Sequence, residues 1–198
     1  YSAGIVLGQL AVAPLAAYAF SRFRFKFRDG LFFIYIVIMM LPFQAYMLAN
    51  YFALDSIGLI DSGWSLVIPG IFAPFSVFLL RQYMLTIPDE LLDAARMDNA
   101  SEWQIYWRII VPLALPAIAV LAIFSIMWRW NDFLWPLVIL TRNEVYTLQV
   151  GLNAFQGELQ VQWHYVLAMT VVTLLPITFV FAFLQKFITT GIASTGMK

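Results

Sequence analysis

The sequence predicts an all-α membrane protein, and three observations carry the prediction. Hydrophobic residues make up 63% of the 198 and charged residues 11%, against roughly 45–50% and about 25% in an ordinary soluble domain. Five stretches, roughly 1 to 20, 31 to 53, 64 to 85, 112 to 140 and 165 to 188, reach the length of about 20 apolar residues that a helix needs to cross a hydrocarbon core. These stretches lack the alternation over about ten residues that barrel strands require; "LFFIYIVIMMLPF" and "VLAMTVVTLLPITFVFAFL" are apolar without a break. The absence of cysteine excludes disulfides and cysteine-based metal sites.

The first stretch begins at Tyr1, already inside an apolar run, with no initiator methionine and no basic segment before a cleavage site. The chain therefore reads as an N-terminally truncated piece that lacks an earlier span, organised as a single transmembrane domain over 1–198. The connection after it, "SRFRFKFRDG", carries Arg22, Arg24, Lys26 and Arg28, whereas residues 54 to 63 hold Asp55 and Asp61 and no base. The third connection holds Arg81, Arg96 and Arg108, the fourth Arg142, and the tail Lys186 and Lys198. Basic residues mark the cytoplasmic side. Nine of the eleven bases alternate onto one side, so the first span runs inward, loop 86–110 and the C-terminus are cytoplasmic, and loop 141–164 is external. Pro14, Pro42, Pro69, Pro74 and Pro176 interrupt the apolar stretches, although proline kinks in membrane helices need no role in motion.

Between the third and fourth stretches, "PDELLDAARMDNASEW" carries five acidic groups, Asp89, Glu90, Asp93, Asp98 and Glu102. An Asp at mid-bilayer costs about 3 kcal/mol even on the lenient insertion scale, so the segment lies outside the lipid. Pro88 suits a first helical position, and Asp89 and Glu90 sit where the helix dipole favours anions. Asn99 accepts the left-handed conformation that ends a helix, and Ser101 with Gln104 forms a capping box that starts another. The prediction is two short helices with a bend at Asp98-Asn99. Leu91, Ala94, Ala95 and Asp98 fall at i, i+3, i+4 and i+7, one narrow, smooth face suited to docking. Trp103, Tyr106, Trp107 and Ile110 make an aromatic stripe at the same spacing, suited to the bilayer interface or to neighbouring spans. On physical grounds alone, a docking helix and a plain amphipathic loop both account for the segment.

Arg129, Trp130, Asn131 and Asp132 lie within the fourth stretch, where lipid penalises polar groups and makes them functional candidates. Two readings stand side by side. Trp130, Asn131 and Asp132 face a solute path, or Arg129 and Asp132 pair on one helix face while Trp128, Trp130 and Trp135 form an interfacial belt. His164, between Trp163 and Tyr165, reads as an interfacial residue rather than a ligand.

The run "ELLDAARMDNASEWQIYWRIIVPLALPAI" closely resembles the EAA signature of binding-protein-dependent ABC importer permeases. Asp93-Ala94-Ala95 stands for E-A-A, Asp98-Asn99-Ala100 for D-G-A, and Pro112 with Leu115-Pro116 for the downstream prolines. Asp93 in place of Glu keeps the charge, and Asn99 in place of Gly keeps access to a left-handed turn. "AAYAFSRFRFKFRDG", "RWNDFLWPLVIL", "YTLQVGL" and the tail "FLQKFITTGIASTGMK" are similar, in the same order, to carbohydrate-type permeases of the maltose-system class.

The resemblance implies the type I importer permease fold with its first span missing, five transmembrane helices being visible, and alternating access driven by a separate ATPase. The coupling contacts would come from Glu90, Asp93, Ala94, Ala95, Asp98, Asn99 and Ala100. Gln156, Gly157 and Glu158 would be the tip that meets a solute-binding protein. The implied partners are a second permease, two ATPase subunits carrying ATP and magnesium, that binding protein and the lipid of a bacterial or archaeal inner membrane. No cofactor is expected on this chain itself. "GIASTGMK" has Met197 where a phosphate-binding loop needs Lys, so the chain is expected to be a transport subunit and not an enzyme. A stand-alone secondary transporter or channel for a small polar solute is the alternative. The absence of internal repeats and of unpaired charge in several spans weighs against it.

Overall fold

The computed structural model describes residues 1–154 and 163–195. Its helices in chain order are α1 Ser2–Arg22, α2 Arg28–Met40, α3 Phe43–Ser56, α4 Trp64–Ile71, α5 Pro74–Met84, α6 Asp89–Met97 and α7 Glu102–Ile105. A π-helical turn, Tyr106–Ile110, then leads into α8 Val111–Trp130, followed by α9 Leu134–Ile139, the 3-10 turn Asn143–Val145, α10 Leu148–Ala154 and α11 Trp163–Thr195. Among the described residues there is no strand.

Among the described residues, four helical runs are long and apolar enough to cross a membrane, Ser2–Arg22, Trp64–Met84, Glu102–Trp130 and Trp163–Phe183, and the bent pair α2 and α3 makes a fifth when counted as one span. The predicted stretch from 31 to 53 is not one straight helix, because α2 and α3 meet at 106°. Pro42 explains the bend. The residue before a proline is pushed out of the helical region, and Leu41 is extended at φ −77°, ψ 129°. Ala73 before Pro74 is extended in the same way and separates α4 from α5. Pro14, Pro69 and Pro176 lie inside continuous helices, so two of the five candidate break points, Pro42 and Pro74, are actual breaks.

The fourth span also differs from its predicted bounds of 112 to 140. It starts ten residues earlier, at Glu102, and stops at Trp130. The capping box and the span thus belong to one helical run, and the second helix after the bend is not a short one.

The chain divides into two compact units. One comprises residues 7–41, 72–122 and 187–198. Its core gathers Ala13, Ala17 and Tyr18 of α1, Leu80 and Met84 of α5, Leu92 of α6, and Ile105, Ile110, Ala114 and Ala117 of the fourth span. Four of these core positions are alanines, the small residues that membrane helix interfaces favour.

The other unit comprises residues 1–6, 42–71 and 123–186. Trp135 is its centre, 4% exposed, packed edge-on against Phe43 and donating its indole N–H to the Ser65 carbonyl at 3.3 Å. Gly70 is required where it stands, since a Cβ there would lie 2.8 Å from Cγ2 of Ile5. Asp61, in the left-handed region at φ 57°, ties the connection before α4 to the one after α9. Its carboxylate accepts from the Thr141 hydroxyl at 2.6 Å, from the Thr141 N–H and from the Arg142 N–H, and its carbonyl accepts from the Arg142 guanidinium at 3.0 Å.

The hydrogen bonds from Thr141 hold the Asp61 carboxyl below the usual carboxylate range. A depressed folded pKa gives stability that is present above the unfolded value and lost as pH falls through the folded one. Asp61→Asn is therefore expected to lower the thermal midpoint of detergent-solubilised protein at pH 7. It should also flatten the acid destabilisation of the wild type below the unperturbed value of 3.8, as a pH series of melting curves would read.

Candidate functional site

The nine residues of α6 form a helix because both ends carry the charge the dipole favours, Asp89 and Glu90 in the first turn and Arg96 in the last. Its C-terminus is closed by a Schellman motif. The Asn99 N–H bonds the Arg96 carbonyl and the Ala100 N–H bonds the Ala95 carbonyl, each at 3.0 Å, with Asn99 left-handed at φ 58° as its place in the sequence requires. The capping box follows without slack: Gln104 N–H donates to Ser101 Oγ at 3.3 Å, and Ser101 N–H to Gln104 Oε1 at 2.8 Å. Two consecutive local motifs thus fix the bend.

Burial corrects the predicted docking face. Leu92, 1% exposed, anchors α6 in the core, and Ala95 packs against the same cluster. Leu91, Ala94 and Asp98 remain exposed, and Met97, 84% exposed, joins Leu91 and Ala94. The outward strip is accordingly Leu91, Ala94 and Met97, because Ala95 is on the inward side. Glu90 is exposed, Asp93 pairs with Arg96 at 2.9 Å, and Asp98, Asn99 and Ala100 line a cavity of about 240 Å³ with Gln104 and Arg108. The aromatic stripe divides likewise. Tyr106 and Ile110 are buried at 3% and 0%, while Trp103 and Trp107 stay exposed.

Residues that local spacing does not reveal hold α6 in place. Arg22, in the last turn of α1, donates to the Asp89 carboxylate and to the Met84 and Ile87 carbonyls. Arg81 of α5 returns the arrangement, donating from Nε to the Phe20 carbonyl at 3.1 Å with its guanidinium 3.9 Å from the centre of the Phe32 ring. Each helix thus supplies an arginine to the C-terminal end of the other, where the last carbonyls have no partner within the helix. At the far end of α6, Arg96 Nε bonds Glu102 Oε1 at 2.9 Å, and Glu102 Oε2 accepts from the Tyr18 hydroxyl at 2.6 Å. These partners lie 67 and 84 positions apart for Arg22–Asp89 and Tyr18–Glu102. Only the excess of base in "SRFRFKFRDG" pointed towards Arg22, and it pointed to orientation.

The fourth-span candidates also separate. A cavity of about 350 Å³ is lined by Arg129, Trp130, Asp132, Trp135, Tyr146 and Tyr1, among others. Arg129 and Asp132 pair at 3.5 Å within it, so they both pair and face a cavity. The Trp130 indole N–H is committed to the Thr173 carbonyl at 2.9 Å, which leaves its ring for contact. Asn131 is exposed, donates its amide to the Met127 carbonyl at 2.8 Å and is not among the residues lining this cavity. Trp135 is buried, so the three tryptophans do not form one interfacial belt. His164 is exposed and lies against Tyr165, ring centres 4.2 Å apart. Gln156, Gly157 and Glu158 lie outside the described residues.

Apolar spans with a tethered polar helix between two of them define an integral membrane subunit. The chain belongs to the family described as binding-protein-dependent transport system inner membrane component, whose model matches residues 6–194. It is 36% identical over 194 residues to an arabinooligosaccharides transport system permease protein of Halalkalibacterium halodurans, covering 98% of this chain and 70% of that protein. It is 32% identical over 193 residues to an sn-glycerol-3-phosphate transport system permease protein of Agrobacterium fabrum, covering 96% and 68%. A crystal structure of a bacterial ABC transporter involved in the import of the acidic polysaccharide alginate superposes with a TM-score of 0.82 at 30% identity, over 94% of this chain and 71% of that one. The resemblance read from the EAA-like run is thereby established, and the protein is an ABC importer permease.

The bend gives a direct test of the local account. A left-handed position costs an ordinary side chain roughly 1–2 kcal/mol and glycine essentially nothing. Asn99→Gly is expected to leave the thermal midpoint unchanged or raised, and Asn99→Val to lower stability by about 1–2 kcal/mol, read by thermal unfolding in detergent.

Proposed function

We propose that this chain is one permease half of an ATP-driven, binding-protein-dependent importer for a carbohydrate or related polyol in a bacterial or archaeal inner membrane. The observation that carries the reading is α6: a short helix anchored by one leucine, with an acidic first turn and a closed C-terminus, presenting Leu91, Ala94 and Met97 outward. Such a strip, with a methyl group at its centre, suits insertion into a cleft of a separate ATPase subunit. Two ATPase subunits holding ATP and magnesium, a second permease and a solute-binding protein complete the assembly. Loop 86–110 and the C-terminus are then cytoplasmic and loop 141–164 periplasmic, with Gln156, Gly157 and Glu158 towards the binding protein. The relatives' own solutes, arabinooligosaccharides, glycerol 3-phosphate and alginate, support a polyhydroxylated substrate.

Closure of the ATPase dimer would carry α6 with it and rock the spans about the path. The chemistry stays on the ATPase, and this chain supplies the moving surface. Ala94→Arg, on the exposed strip, should leave membrane insertion intact but abolish ATPase co-purification and solute uptake in proteoliposomes. Unchanged uptake would refute the docking assignment, and uptake by the chain without ATP would favour a stand-alone carrier.

The Arg129–Asp132 cavity is the solute-facing element of this reading. A hydroxylated solute needs hydrogen-bonding groups beside an aromatic face, and Asp132 and Trp130 provide both. Asp132→Ala removes an acceptor and frees Arg129, and is expected to lower uptake about tenfold while the ATPase still binds. An uptake equal to wild type would remove the cavity from the path.

A further inference from the structure

We infer that Arg22, Tyr18 and Glu102 are positioning residues that fasten α6 to α1 at both of its ends, so that α1 and α6 move as one lever; this rests on reading α6 as the ATPase contact. At the first end, the Arg22 side chain is 5% exposed. It holds Asp89 of the first turn of α6 together with the Met84 and Ile87 carbonyls just before it. Its Nε is buried and, among the described residues, has no partner, so those three acceptors alone offset the loss of water around the charge. A guanidinium in that position is held to one orientation.

At the other end, Arg96 of the last turn of α6 binds Glu102, which accepts from Tyr18 at 2.6 Å. Tyr18 and Arg22 are four residues apart, on one face of α1 and about 6 Å apart along its axis. One face of one span therefore reaches both ends of α6. A helix tied once can pivot about the tie. A helix tied at two ends cannot, and charge-assisted bonds are directional where the apolar seat of Leu92 is not. The side chain of Arg81, on α5, is turned to the Phe20 carbonyl and the Phe32 ring instead, so α5 is joined to α6 by the chain between them and by Leu92 packing. The rival account is transmission through that packing alone.

The test uses the complete importer in proteoliposomes, reading solute moved per ATP hydrolysed alongside ATPase co-purification. Tyr18→Phe removes one hydroxyl and keeps the ring, while Arg22→Gln and Arg22→Lys separate charge from bulk. Tyr18→Phe and Arg22→Gln are each expected to keep the ATPase bound but lower the transport ratio by up to about tenfold, the factor a hydrogen bond to a charged group is worth. Arg22→Lys should restore part of that loss, which a purely space-filling role would not give.

The chain has no cysteine, so spin labels on Leu7→Cys of α1 and Met97→Cys of α6, both exposed, report their separation in the permease assembly without its ATPase, because Met97 stands on the docking strip. The distance should be narrow with Tyr18 and Arg22 in place and broad in the Tyr18→Phe/Arg22→Gln double variant. A transport ratio and distance unchanged in the double variant, with the ATPase retained, would overturn the lever. Loss of ATPase from the variants alone would also overturn it, because the residues would then shape docking rather than transmission. If wild-type protein fails to retain the ATPase, the docking reading fails instead, and the spin-label distance still decides whether α1 and α6 form one body.

Discussion

The buried guanidinium of Arg22 is the interaction on which the rest of the α6 region depends. The last carbonyls of a helix have no partner within it, and in an apolar setting an unpaired carbonyl costs several kcal/mol. At the end of α5 the chain must also leave one helix and begin α6 after four residues, Leu85 to Pro88. Arg22 meets both demands with one planar group, donating to the Met84 carbonyl at the end of α5, to the Ile87 carbonyl in the connection and to the first carboxylate of α6. Lysine could not do this, because its ammonium is a point charge without a fixed fork of donors. Arg81 completes the arrangement by serving the end of α1, so each helix ends on an arginine of the other.

Local sequence then shapes what the arginine holds. A nine-residue helix is too short to persist in water on propensity alone. Its charged first turn, its Schellman closure and the capping box immediately after it each contribute a small favourable increment. Those motifs fix the bend without fixing where the bend sits in space. That placement comes from Leu92 in the core and from the polar ties to α1, so the local motifs and the long-range ties fix different things about α6.

The legible parts of the fold were those decided within a few residues. Run length located the spans, Pro88 and Asn99 bounded α6, and Ser101 with Gln104 started the next helix. Hydropathy counts apolar residues and not dihedral angles, so it carried the stretch from 31 to 53 straight across Leu41-Pro42, where the chain turns by 106°. Helical spacing assigned Ala94 and Ala95 to one face, but adjacent residues differ by about 100° around a helix, and Leu92 decided which of the two turned inward. The same uncertainty of phase exchanged Asn131 for Arg129 in the cavity, once α8 ended at Trp130. The partners of Arg22 and Tyr18 lay beyond any local pattern.

The make-up of the unit that holds α6 bears on how force could pass through the subunit. Apolar packing between membrane helices is tolerant of sliding, since lipid is as apolar as the neighbouring helix and only shape resists displacement. A hydrogen-bonded charge in the same setting has a single good position, because moving it leaves a buried group unsatisfied. This unit combines both kinds: small and apolar residues in its core and charged groups at the helix ends. Motion is therefore easiest where apolar side chains alone meet and most resisted at the first end of α6, where the buried Arg22 holds it; the Arg96–Glu102 pair at the other end is exposed and adds less, so a push on α6 should displace spans as bodies before it bends the joint between α6 and α1.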